Sequence, residues 1–129
     1  MSIFDHLSIG VSDIAKAHYF YDDLLALVGC QVMVKHPQFI AYGTDTVQFL
    51  AMLPCNGESQ SAGNGVHIAL VAAQRQIVDD FYQLALERGG SDAGAPGLRP
   101  QYPLPNVYTA FIRDPFGNKL EIIHNGFSI

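Results

Sequence analysis

Apolar residues along this chain change period several times, and each change predicts an element. Residues 4–11, FDHLSIGV, alternate with a period of two, placing Leu7, Ile9 and Val11 on one face of a strand. Ser12 or Asp13 can then cap a helix whose apolar positions Ile14, Ala17, Tyr21, Leu24 and Val28 recur at helical spacing until Gly29 stops it. Three short strands follow, at 30–35, 39–42 and 46–53, separated by the turn signals His36-Pro37 and Gly43-Thr44-Asp45. PCNGESQSAGNG (54–65) is a linker, VHIALVA (66–72) a strand, and residues 72–90 a second helix with Ile77, Phe81, Leu84 and Arg88 in register and Gly-Gly at its end. The last third reads as a Pro-rich loop at 95–105, the stretch NVYTAFIRD, and a DPFGN turn opening a final apolar strand, KLEIIH.

The order of elements repeats, and so do residues. A shift of 61 places His6 on His67, Phe20 on Phe81, Tyr21 on Tyr82, Leu25 on Leu86 and Gly29 on Gly90. These identities fall on the strand, on the core face of the helix and on its stop, which is the mark of a duplicated unit. The Pro-rich loop lengthens the second half, and matching GTDTVQFLAML to FGNKLEIIHNG sets Gln48 against Glu121. The expected fold is α+β. Two βαβββ modules, about 1–55 and about 65–126 with a linker at 56–64, form one domain over residues 1–129. Their curled, incompletely closed eight-stranded mixed sheet surrounds a pocket, with the helices outside.

Duplication gathers the polar residues. His6 and His67 each alternate with apolar neighbours, so each imidazole points away from the face that packs under its helix, as Glu121 does against Leu120 and Ile122. Two imidazoles and a carboxylate from separate strands suit one divalent transition ion with positions left open, and Gln48 shares the inferred face as a fourth candidate. Zn, Ni, Mn, Fe and Co all accept such a set.

Composition narrows the field. A chain of 129 residues, 49% apolar, can bury the core of a single domain. A net charge of −5 with only 7 Lys and Arg excludes a nucleic-acid or anionic-membrane partner and leaves a small-molecule substrate. No apolar run reaches the roughly 20 residues of a membrane span, and MSIFDHLSIG lacks the basic start and apolar stretch of a signal peptide, so the expected location is cytoplasmic. Cys30 and Cys55 form neither a CxxC site nor a disulfide framework.

Three stretches, FDHLSIGVSDIAKAHYFYDDLL, GNGVHIALVA and YTAFIRDPFGNKLEII, resemble the vicinal oxygen chelate superfamily, the glyoxalase, bleomycin resistance protein and extradiol dioxygenase fold. That resemblance implies a metal pocket whose ligands lie on the first and last strands of each module, here His6, Gln48, His67 and Glu121. It implies a metal-dependent enzyme of glyoxalase-like lyase or isomerase type. Such an enzyme acts on a small oxygenated metabolite that chelates the ion through adjacent oxygens, with Glu121 moving the proton. Dioxygenase and thiol-transferase chemistry, and a non-catalytic antibiotic-binding or resistance role, occur on the same fold. The resemblance, together with sheet edges that a two-fold partner would cover, leads to the expectation of a homodimer. In the loop at 94–108, Arg99, Tyr102 and Tyr108 are candidates to line the pocket, Arg99 meeting an anionic group of the substrate.

Overall fold

The computed structural model describes residues 2–128. Strand β1 (Leu7–Gly10) leads into helix α1 (Ile14–Ala26), then β2 (Gln31–His36), β3 (Phe39–Gly43) and β4 (Val47–Met52). After the linker come β5 (Ile68–Val71), α2 (Arg75–Glu87), β6 (Ser91–Leu98), β7 (Tyr108–Arg113) and β8 (Lys119–His124). Both β1 and α1 map onto β5 and α2 at the shift of 61, end for end. Among the described residues no helix is long and apolar enough to cross a membrane.

The strands form two four-stranded mixed sheets, ordered β1-β4-β3-β2 and β5-β8-β7-β6, and neither closes into a barrel. In each, the first strand of the module runs parallel to the last, and the remaining pairs are antiparallel. One face of each sheet packs under its helix. Phe49 and Ala51 of β4 and Leu120 and Ile122 of β8 join Phe20, Tyr21, Leu24, Val78 and Phe81 in one continuous core. Helix α1 begins where the sequence places it: the Asp13 side chain accepts from the backbone N–H of Lys16 and so satisfies one of the free donors of the first turn.

The eight strands make two sheets rather than one, and two further readings change. The Pro-rich loop begins later than its composition predicts, because β6 runs through Pro96 to Leu98. Proline is tolerated there since β6 is the edge strand, and its ladder to β7 shifts register on both sides of Gly94. The second change concerns the equivalence of the modules. Leu7 pairs with Phe49 and Ile68 with Leu120, so Ser8 faces Leu50 where Ala69 faces Glu121. The repeat-mate of Glu121 is therefore Leu50. Gln48 lies on the same face, two residues earlier.

The modules are tied by a buried polar knot. Asp114, in the turn between β7 and β8, accepts from the Tyr21 hydroxyl of α1, the Asn118 side chain, and the backbone N–H groups of Phe116 and Asn118. Asn118 also donates to the carbonyl of Gly10 at the end of β1. Burial first, and the carboxylate second, raise the Tyr21 phenol well above its ordinary value, so this donor stays protonated through neutral pH. Tyr21→Phe should cost about 1–3 kcal/mol, because a buried carboxylate loses a donor that water cannot replace. Urea denaturation of the two proteins measures it, and an unchanged midpoint would mean the knot contributes nothing net.

Candidate functional site

On β8 the alternation that buries Leu120 and Ile122 under α2 sends Glu121 and Ile123 to the other face. There Glu121 sits beside Ala69 of β5 and Phe111 of β7, its ladder partners on either side. It is a buried carboxylate, only 2% exposed, on the face that carries no helix. Its Oε1 lies 3.2 Å from His67 Nε2. Its Oε2 accepts from the Tyr102 hydroxyl at 2.6 Å and from the Thr109 hydroxyl at 2.8 Å. Partial burial, then this carboxylate, push the Tyr102 phenol up to about 12, which keeps it a donor.

These groups open onto a cavity of about 530 Å³ walled by Ala69, Val71, Ile123 and Phe127, with His67 and Glu121 in its lining. Ala69 and Val71 of β5 and Glu121 and Ile123 of β8 contribute, as a two-residue period allows. Tyr102 and Phe127 stack over it, ring centroids 6.2 Å apart. His67 is half exposed and sets its ring edge against Phe111, 5.8 Å between centroids.

His6 and Gln48 lie elsewhere in the chain. They line a second cavity of about 380 Å³ beside β1 and β4, which shares only Ala69 and Val71 of β5 with the first. His6 Nδ1 is 2.6 Å from Asp5 Oδ1, and Gln48 Oε1 accepts from the backbone and side chain of Thr44. Among the described residues no group of three or more His, Cys, Asp or Glu side chains converges within one chain. The structure thus joins His67 to Glu121 and keeps His6 apart from them.

The loop residues divide likewise. Tyr102 reaches the carboxylate. Tyr108 does not: it shares the helix-facing side of β7 with Ala110 and Ile112, its hydroxyl donates to Asp79 of α2, and Arg75 lies over its ring. Arg99 is not in the cavity wall, and its guanidinium donates to the Ala95 carbonyl across β6. Two contributors escape the sequence reading. Thr109 is fully buried, and its signal is a lone hydroxyl alternating with Ala110 and Ile112 in an apolar strand. Phe127 lies beyond the last strand, where no pattern marks it.

Comparison with known proteins completes the description. The family model of the glyoxalase/bleomycin resistance protein/dioxygenase superfamily matches residues 3–122. Among solved structures, the chain is similar to a glyoxalase/bleomycin resistance protein from Albidiferax ferrireducens T118, at 30% identity and a TM-score of 0.87, covering 97% of this chain and 100% of that one. It is also similar to a glyoxalase-related enzyme from Fulvimarina pelagi (17% identity, TM-score 0.76, 97% and 89% covered). A lactoylglutathione lyase from Agrobacterium tumefaciens gives 21% identity and a TM-score of 0.67, with 96% and 93% covered. At such identities these last two share the fold. No curated protein matches.

Proposed function

The chain belongs to the glyoxalase/bleomycin resistance protein/dioxygenase superfamily, and on that premise we propose that it is a metal-dependent enzyme of lyase or isomerase type. Its substrate is a small oxygenated metabolite that offers two adjacent oxygens to a divalent ion. One observation carries the reading: Glu121 is a buried carboxylate whose partners among the described residues are two hydroxyls and one imidazole, with no Lys or Arg. A carboxylate buried with no Lys or Arg beside it is costly to keep ionised, and a cation at Oε1 would offset that cost.

The donor chemistry fits an ion such as Zn, Ni, Mn, Fe or Co, since an imidazole nitrogen and a carboxylate oxygen face one cavity. His67 and Glu121 would hold it, with a third ligand from His6. His6 lies in another cavity, so we assign it to a second copy of the chain, in a homodimer that also covers the exposed Phe4, Val66, Val71 and Phe127. When bound, the ion supplies Lewis-acid polarisation of a substrate oxygen. The remaining work belongs to this chain. Tyr102 and Thr109 occupy Oε2 and fix the carboxylate, which leaves Oε1 to hold the ion and, only when released from it, to take or return a substrate proton. The apolar walls exclude water and strengthen the electrostatics inside.

The apolar cavity and its stacked Tyr102–Phe127 pair also favour a second reading, a non-catalytic small-molecule binder of the same fold. Elemental analysis of protein purified without a chelating tag separates the two. Near-stoichiometric transition metal supports the enzyme, and metal-free protein that still binds an apolar ligand supports the binder. Tyr102→Phe removes a donor from Oε2 without touching a ligand atom. It should weaken Zn or Mn binding by about tenfold in calorimetric titration, at the lower end for outer-shell partners. Unchanged affinity would reduce Tyr102 to a wall of the cavity.

A further inference from the structure

Beside the cavity, on the same face of the second sheet, one cation lies over an aromatic ring and a second lies near it. Lys119 places its Nζ 5.0 Å from the centroid of Phe111. Arg99 reaches the same neighbourhood from the other side, folded back over β6. A Cβ on Gly94 would lie 3.2 Å from Phe111 Cδ2 and 3.4 Å from Arg99 Nη2, and one on Gly97 would lie 3.1 Å from Arg99 Nη1. The two glycines leave the track in which the guanidinium rests, and the Ala95 carbonyl, accepting from Nη2 at 2.8 Å, fixes it there. One of its five N–H donors is thereby used and the others are left over. Arg88 is paired with Asp23, but neither Arg99 nor Lys119 has a carboxylate within reach among the described residues. Both cations are half-buried. Phe111 joins them to the site, since its ring also touches His67, whose Nε2 meets Glu121.

We propose that Arg99 and Lys119 form an oxyanion subsite over Phe111, next to the His67–Glu121 cavity, which holds the carboxylate or phosphate tail of the substrate. This assignment rests on the reading of that cavity as the ligand site. It narrows the substrate class to an anionic metabolite whose reacting oxygens enter the cavity while its charged end stays at the rim. Arg offers a planar fork and Lys a point charge, a combination that suits a tetrahedral or planar oxyanion. The Phe111 face holds Lys119, and the Ala95 carbonyl holds Arg99.

The test uses the full chain, labelled with ¹⁵N and without added metal, titrated at low ionic strength with inorganic phosphate in one arm and acetate in the other. Saturable amide shifts centred on Gly94, Gly97, Arg99 and Lys119 are expected, and the tighter arm identifies the tail as phosphate or carboxylate. Arg99→Gln and Lys119→Gln should each weaken binding by about tenfold, the loss of one charge-assisted contact, whereas Lys35→Gln, on β2 of the other sheet, should leave it unchanged. Absent or scattered shifts, or binding lost with Lys35→Gln as much as with Arg99→Gln and Lys119→Gln, would overturn the subsite. Adding Zn to the same samples reads the metal separately, because failure of that reading removes the response at His67 and Glu121 and leaves the anion response standing.

Discussion

Protein carrying Glu121→Gln should fold normally and emerge from purification essentially free of metal. The amide is nearly isosteric, but it has one acceptor where the carboxylate has two. Tyr102 and Thr109 both donate to Oε2 and are buried or half-buried, so the glutamine oxygen is drawn to them. That turns the NH₂ group toward His67 and the cavity, where Oε1 stood. The site then loses a ligand and a negative charge and gains a donor aimed at the ion's place. Affinity should fall by well over the ten- to hundredfold typical of outer-shell changes. Calorimetric titration with Zn and Mn, alongside thermal denaturation to confirm folding, measures both halves of this expectation. Gln48→Ala should behave differently, because Leu50 and not Gln48 stands on the rung equivalent to Glu121. It should retain most of the metal. Equal loss in both variants would make Gln48 a full ligand and favour a four-ligand site, and normal binding by Glu121→Gln would remove the metal reading altogether.

The contrast between Gln48 and Leu50 shows what a sequence of this kind discloses. A period of two assigns faces, and a slip of two residues preserves the face, so the pattern puts Gln48 on its proper side of β4 but not on the rung of Glu121. The rung is set by the β1–β4 ladder, which pairs Ser8 with Leu50, and side-chain patterning does not report which residues pair. Faces decided the rest in the same way. His67 and Glu121 share a cavity because odd positions of β5 and β8 line it, and the same parity, applied to Tyr108 with Ala110 and Ile112, assigns that tyrosine to α2. Both helices are legible as elements, α1 starting at its Asp13 cap, but α2 starts three residues later and ends three earlier than the pattern places it, with no side-chain cap to mark it. The partition of the strands into two sheets is not legible, since it depends on contacts between the modules. Nor is the separation of His6 from His67.

That separation leads to the second large effect. If the ion is held by His67 and Glu121 of one chain and His6 of another, then His6→Ala and Glu121→Gln homodimers should each lack metal, for different reasons. Co-expression of the two variants with distinct tags yields a heterodimer in which the defects fall together. One of its two sites pairs the altered His6 position with the altered Glu121, and the other pairs intact His6 with intact His67 and Glu121. An isologous interface makes this redistribution obligatory. The heterodimer should therefore bind about one ion per pair of chains, against two for the parent and none for either variant alone. A site closed within one chain gives a different count, because each chain of the heterodimer then keeps its own defect and no ion is bound. Light scattering must first find a species of twice 14.1 kDa. A monomer that binds metal stoichiometrically would place His6, His67 and Glu121 together in one chain, after a closure of the two modules that brings the separate cavities into one. A metal-replete His6→Ala homodimer would instead remove His6 from the ligand set, leaving the first module to supply walls and none of the chemistry.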